Sequence, residues 1–261
     1  MPANATVPAI ISVDWGLSSL RCRLVDKGGA IIASRQSDNG VRTIAHRNFP
    51  GALLAEIGGW IAAHPGTPVL LSGMIGSRLG WVEAPYVACP AGLAEIGQAV
   101  LPLDVAGLER AFIVPGVKLS TPERADIMRG EECEVLGCLA DPSSRAALYV
   151  APGTHSKWIA VEDDRILRFT TMMTGELFSL LSGSSSLAET VAATSGDDAS
   201  FLEGLNLARQ ASSTGGILPR LFTIRADGVL GRRHCGELAR RRRSPGAGLP
   251  LHRDPQSRSR C

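Results

Sequence analysis

Ala9-Ile10-Ile11-Ser12-Val13-Asp14-Trp15-Gly16-Leu17-Ser18-Ser19-Leu20-Arg21-Cys22-Arg23-Leu24-Val25 is an apolar run that ends in a carboxylate, turns through Gly and Ser, and comes back alternating. Arg21 and Arg23 interleave with Leu20, Cys22 and Leu24, which is strand periodicity. Lys27-Gly28-Gly29 is a hairpin turn, and Ala30 to Arg35 reads as a third strand. Residues 9–35 therefore predict a three-stranded antiparallel meander. The same order of parts returns at 146–170. Ala146 to Ala151 is an apolar strand, Pro152 to Ser156 a turn, and Lys157 to Glu162 a strand; Asp163-Asp164 is a hairpin turn and Ile166 to Thr170 a strand. A spacing of about 135 residues is a domain-sized repeat rather than a solenoid period. Two lobes that each open with a meander predict an α/β chain with a cleft between them.

Between the two meanders, Phe49 to His64 has helical spacing, with a proline near its start and another just past its end. Pro68 to Ser72 reads as a buried strand that runs into the glycine-rich loop Gly73 to Trp81, and Ala111 to Pro115 as a further strand. Asp126 to Leu139 predicts a helix with Ile127, Cys133, Val135, Leu136 and Leu139 on one face, stopped by Asp141-Pro142. Beyond Met172, Gly175–Leu181 and Ser200–Ala211 are helical stretches, and Ile217–Ile224 is another apolar segment.

A chain of 261 residues can bury one large core or two moderate ones. With 44% hydrophobic and 20% charged residues it falls in the soluble globular class, and its longest apolar runs are far short of a membrane span. Met1 to Thr6 carries no basic segment, so a secretory signal is not expected, the sequon Asn4-Ala5-Thr6 has no significance, and the expected location is cytoplasmic. Six cysteines without a CxxC pair are expected to be buried thiols, not zinc ligands or disulfides. The net charge of +2 hides an asymmetry. Residues 231–261 hold nine arginines against Glu237 and Asp254, leaving residues 1–230 net acidic.

The two repeated turns carry the candidate chemistry. A turn between strands exposes backbone amides, and Gly, Ser and Thr let an anion approach closely. The first combines Asp14, a carboxylate suited to a metal ion, with Gly16, Ser18 and Ser19 as phosphate donors. The second holds Gly153, Thr154, Ser156 and Lys157, with the lysine adding positive charge. Either turn alone is equally a plain tight hairpin. Two such turns at the heads of repeated meanders, if they face one another, would clamp a triphosphate.

Ser12-Val13-Asp14-Trp15-Gly16 resembles the first phosphate motif of the actin, sugar-kinase and heat-shock chaperone superfamily. Four further stretches are more specific: Ser72 through Tyr86 (SGMIGSRLGWVEAPY), Asp126 through Glu132 (DIMRGEE), Pro152 through Trp158 (PGTHSKW) and Thr174 through Phe178 (TGELF). In this order, over residues 10 to 230, they resemble the 2-dehydro-3-deoxygalactonokinase family. The resemblance implies a two-lobed actin/hexokinase-like (ribonuclease H-like) fold. It also implies transfer of a phosphoryl group from ATP, with Mg²⁺, to 2-dehydro-3-deoxy-D-galactonate, giving the 6-phosphate in galactonate catabolism. Asp126, at the start of the expected helix, is then the candidate catalytic base, with Glu131 and Glu132 behind it; the other reading of Asp126 is a helix-dipole partner. In the glycine-rich loop, Arg78, Trp81 and Glu83 are candidate substrate contacts. Arg78 is either a fork for the substrate carboxylate or one half of a surface ion pair, and Trp81 is either a platform or an anchor.

These readings divide the chain into an N-terminal lobe at 1–145, a C-terminal lobe at 146–230 that is incomplete, and an Arg/Pro-rich tail at 231–261. Four consecutive arginines, prolines 245, 250 and 255, and no strand or helix period mark the tail as disordered or frame-shifted. It lacks the aromatic interleaving of a nucleic-acid arm, so neither nucleic acid nor membrane is an expected partner. The alternative to an active kinase is a truncated relic, or a sugar-acid-binding module, of the same fold.

Overall fold

A computed structural model describes residues 7–191, 198–211 and 216–230; the arginine-rich tail lies outside them. The first meander is formed by β1 (Pro8–Trp15), β2 (Leu20–Asp26) and β3 (Ile31–Ser37). Asp26 organises its second turn by accepting from the amides of Gly28 (2.8 Å) and Ala30 (2.9 Å). Helix α1 (Phe49–Ala63) follows, started by Asn48, whose side chain accepts from the Gly51 amide. It buries Phe49, Leu53 and Ile57 against the inward residues Ile11, Val13 and Trp15 of β1. Strand β4 (Val69–Gly73) lies parallel to β1 with Asp14 opposite Ser72.

The segment 84–128, in which the hydrophobic pattern marked only Ala111 to Pro115 as a strand and Asp126 as a helix start, is rich in short elements. It holds β5 (Tyr86–Ala88), α2 (Leu93–Gln98), β6 (Leu101–Val105), β7 (Leu108–Ile113), β8 (Gly116–Ser120) and β9 (Ala125–Met128). One sheet has the order β3-β2-β1-β4-β7-β6, in which β1, β4 and β7 are parallel and the rest antiparallel. That is a ribonuclease H-like arrangement. A second sheet has the order β5-β8-β9.

The expected helix from Asp126 to Leu139 is corrected at its start. Residues Ala125–Met128 are strand β9, and helix α3 runs Glu131–Ala140. Gly130, at φ 111°, turns the chain between them in a conformation that L side chains rarely adopt. Ile127, expected on the helix's apolar face, is therefore exposed.

The second meander forms as the repeat predicts: β10 (Leu148–Ala151), β11 (Ser156–Glu162) and β12 (Arg165–Met172). Asp163 and Asp164 both have positive φ, as a two-residue hairpin turn requires. Helices α4 (Thr174–Ser184), α5 (Ala188–Val191), α6 (Asp198–Ala211) and α7 (Ile217–Val229) complete the described chain. None of them is long and apolar enough to cross a membrane.

Packing groups these elements differently from a division at 145/146. Strands β10–β12 belong with everything before them, in a unit of residues 7–152 and 156–172. A shared core explains this: Ile159, Ile166 and Phe169 of the meander are buried with Val117, Met128, Val135 and Leu139. The second unit holds 153–155 and the helices after Met173. It buries little. Phe178, Phe201, Leu218, Phe222 and Val229 are exposed, and only Leu187 and Ala211 are buried among its described apolar side chains.

Candidate active site

Three chain segments meet at the carboxyl edge of the parallel strands, where open α/β sheets place their ligands. Asp14 stands at the end of β1. Gly73, at the end of β4, has φ 85°, and a Cβ there would lie 2.9 Å from the Trp15 carbonyl and 3.4 Å from Asp14 Oδ1. Gly130, which opens α3, approaches so closely that its own Cβ would lie 3.4 Å from Gly73 Cα. The α3 N-terminus thus comes up against the strand ends through two glycines.

This edge is acidic. Glu131, Glu132 and Glu134 occupy the first turn of α3. Glu132 is fully buried and folds back so that both its oxygens accept from the Gly130 amide, at 2.9 and 2.8 Å. Burial, opposed by those hydrogen bonds, pushes its pKa from 4.5 to about 7. Glu131 is half-buried and accepts from the Arg129 amide at 3.2 Å. The pKa of Glu134 is raised by burial and by the negative charges of Asp14 and Glu131, with Arg21 and Arg23 opposing. Asp14 itself accepts from Arg21 Nη1 at 2.9 Å, and both side chains remain partly exposed.

The β1–β2 turn brings Asp14, Gly16, Ser18 and Ser19 together. Gly16 donates its amide to the Ser19 carbonyl at 2.9 Å, and Ser18 is exposed at the tip. The 152–156 turn is divided between units. Gly153 and Thr154 are exposed, and the Thr154 carbonyl accepts from the Glu176 amide at 3.0 Å. His155 Nε2 lies 2.5 Å from Glu176 Oε2, which ties the turn to the start of α4.

Ser156 and Lys157 sit in the first unit and are buried. The Lys157 ammonium does not face a phosphate site here. It donates to the Ile127 carbonyl at 3.0 Å and to Thr171 Oγ1 at 2.9 Å.

Asp126 takes part in the same network. Its Oδ1 accepts from Thr171 Oγ1 (2.6 Å) and the Ile127 amide (2.9 Å); its Oδ2 accepts from the Thr171 amide (2.8 Å) and Arg124 Nη2 (2.9 Å). Burial raises its pKa, but the hydrogen bonds from Thr171, Arg124 and Ile127 outweigh it and hold the carboxyl below the usual range. A carboxylate on a strand, with every acceptor position in use and a lowered pKa, lacks the helix-start premise for a general base. It ties β9 to β12.

In the loop after β4, Arg78 Nε donates to both oxygens of Glu83, at 3.1 and 3.3 Å, and the arginine side chain is 86% exposed. Trp81 packs on the first core and stacks with Phe49 at 6.4 Å between ring centres, so its indole anchors the loop. The sequence offered Arg129 only as a partner for Glu131 and Glu132, whereas its buried guanidinium donates to the Ala84 carbonyl; the half-buried Thr171 was not singled out. Gly130 inside the expected helix was the available signal for a chain reversal beside Arg129; Thr171 offered none. None of the four described cysteines forms a disulfide, and burial pushes Cys22 up to about 12 and Cys89 to about 11.

A ribonuclease H-like sheet with a carboxylate and a Gly/Ser turn at its first strand end is the nucleotide-handling frame of the actin/hexokinase-like fold. The sequence profile of the 2-keto-3-deoxy-galactonokinase family matches residues 14–242, and the match reaches into the arginine-rich tail. A 2-dehydro-3-deoxygalactonokinase of Escherichia coli (strain K12) is 38% identical over 223 residues, covering 85% of this chain and 72% of the relative. A protein of Rhizobium meliloti (strain 1021), named a probable 2-dehydro-3-deoxygalactonokinase, is 38% identical over 226 residues, covering 84% and 71%. The crystal structure of a Sinorhizobium meliloti protein provisionally given the same name superposes with a TM-score of 0.73 at 33% identity, covering 87% of this chain and 74% of the other. The chain belongs to the 2-keto-3-deoxy-galactonokinase family.

Proposed function

We propose that the chain transfers the γ-phosphoryl group of ATP to the terminal hydroxyl of 2-dehydro-3-deoxy-D-galactonate, giving the 6-phosphate, in the cytoplasm. Family membership over residues 14–242 carries this reading, and the carboxyl-edge geometry agrees with it.

Asp14 is the residue that would hold Mg²⁺. Among the described residues no cluster of three or more His, Cys, Asp or Glu side chains can ligate a metal by itself, which suits an ion that shares one or two carboxylates with nucleotide phosphates. The negative field that raises Glu134 is one that a divalent cation relieves. When bound, Mg²⁺ neutralises charge on the transferred phosphoryl group.

Beside it in the β1–β2 turn, Gly16, Ser18 and Ser19 offer amide and hydroxyl donors to phosphate oxygens; the exposed Gly153 and Thr154 of the second turn are phosphate donors in their own right. The loop carrying Arg78 and Glu83 receives the sugar acid, the guanidinium exchanging Glu83 for the substrate carboxylate. Glu131 accepts the hydroxyl proton. It stands on the rigid α3 N-terminus, is half-buried rather than enclosed like Glu132, and keeps acceptor capacity that Asp126 has spent.

Glu131→Gln tests this assignment. It lowers kcat by about 10²–10⁴-fold, the usual loss for a general base, with little change in sugar-acid affinity. An unchanged single-turnover rate would remove Glu131 from the chemistry.

A further inference from the structure

The loop of residues 74–86, between β4 and β5, is held at two places by arginines that the reaction does not use directly. At its middle, Arg47 donates to the Leu79 carbonyl (3.2 Å) and to the Gly80 carbonyl, while its guanidinium lies 5.5 Å over the Phe49 ring. Trp81, the next residue along, stacks on the other partner of that contact, Phe49. At the loop's far end, Arg129 Nη2 donates to the Ala84 carbonyl (2.7 Å) and reaches the Pro85 carbonyl (3.5 Å). Its guanidinium lies 4.4 Å over the Tyr86 ring, and the residue is buried.

Neither arrangement is an ordinary surface contact. His46 and Arg47 both adopt the left-handed region, φ 51° and 56°, which residues other than glycine occupy uncommonly and two in succession more rarely still. Arg129 is a buried cation whose Nε and Nη1 have no hydrogen-bond partner among the described residues. Gly76 makes way for it, since a Cβ there would lie 2.8 Å from Nη1. A strained backbone and an under-satisfied buried charge are retained together on the two sides of one loop. Arg78 immediately precedes the first hold and Glu83 immediately precedes the second, and this exposed pair is the part left to respond to a ligand.

We propose that Arg47 and Arg129 are positioning residues that fix the backbone of the 74–86 loop, so that Arg78 and Glu83 meet the sugar acid without an ordering penalty. Planar guanidinium groups suit the task, because each grips carbonyls in its own plane while stacking a ring on its face. The proposal rests on the reading of this loop as the sugar-acid site.

The test compares Arg47→Met, Arg129→Lys and Arg78→Ala with the unaltered chain, by calorimetric titration of 2-dehydro-3-deoxy-D-galactonate without nucleotide, titration of ATP, and melting temperature. Arg47 is exposed, so its replacement keeps the protein folded even if the Arg129 variant does not. Arg47→Met weakens sugar-acid binding tenfold or more, while ATP affinity stays within twofold; a folded Arg129→Lys protein does the same. Weakened sugar-acid binding in Arg78→Ala with unchanged binding in Arg47→Met overturns the clamp and leaves the loop's role standing. Unchanged binding in all three overturns both. Parallel losses of sugar-acid and ATP affinity together with melting temperature reduce the arginines to general stability and also overturn the proposal.

Discussion

Replacing Glu132 by glutamine exchanges a buried ionisable carboxyl for a neutral group of the same shape, one oxygen of which still accepts from the Gly130 amide. In the unaltered protein, burial raises this carboxyl from 4.5 to about 7. A raised carboxyl pKa means that the folded state holds its proton more tightly than the unfolded chain does. Glu132 therefore contributes most to stability below about pH 4.5. Its contribution declines as pH rises and levels off above about pH 7. With ~1.4 kcal/mol per pKa unit, the decline is roughly 3 kcal/mol. Glutamine does not titrate, so the stability difference between variant and unaltered protein must itself change with pH, in the variant's favour as pH rises. Urea unfolding of both proteins at closely spaced pH values between 5 and 8 reads this difference directly, because carboxylates elsewhere cancel. Parallel profiles for the two proteins would refute the reasoning, showing that Glu132 is either solvated or charged throughout.

Three further outcomes follow from the same geometry. Asp126→Ala breaks four hydrogen bonds, removing the acceptor of the Thr171 amide and hydroxyl and leaving Arg124 only the Phe169 carbonyl, so unfolding free energy falls by about 2–4 kcal/mol, while the transfer rate per folded molecule stays within tenfold; a fall of a thousandfold in fully folded protein would return Asp126 to the chemistry. Lys157→Met removes the ammonium that bridges Ile127 and Thr171, and chemical denaturation shows whether stability falls while ATP affinity is kept, as this internal role requires. Leu218→Lys and Phe178→Lys, at exposed apolar positions of the helical unit, lower binding of a hydrophobic dye and self-association without lowering the melting temperature; a loss of several degrees in either variant would mean that these side chains are buried in solution.

Both meanders were legible because their evidence is local. Alternation along Leu20 to Val25, Gly28-Gly29 and Asp163-Asp164 each specify strand or turn within a few residues. Of the segment 84–128 only β7 was legible, through Ala111 to Pro115, because the strands there are three to six residues long and break the usual patterns. Strand β6 even contains Pro102, tolerated because β6 is the edge of its sheet. The start of α3 was misplaced because Ile127 falls on the helical stripe by spacing, while Gly130 reverses the chain before a helix can form there.

For the site, Asp14 and its turn were readable from a strand end followed by small residues. The roles of Asp126 and Lys157 were not, because both depend on Thr171, a partner on another strand 45 residues from Asp126. Arg47 and Arg129 were hidden for a related reason, as each acts on backbone carbonyls and an aromatic ring far off in sequence. Burial of a charge is a property of tertiary packing, and charged residues in a short motif look equally suited to solvent or to core.

The most direct test of the account is product analysis on the purified chain with ATP, Mg²⁺ and 2-dehydro-3-deoxy-D-galactonate, following ADP and the sugar-acid phosphate by phosphorus NMR. The account predicts that ADP and a 6-phosphate ester form in equal amounts, only when the sugar acid is present, and that Asp14→Ala abolishes both while remaining folded. Absence of the ester from a folded, ATP-saturated protein, or full turnover in the Asp14→Ala variant, would contradict it.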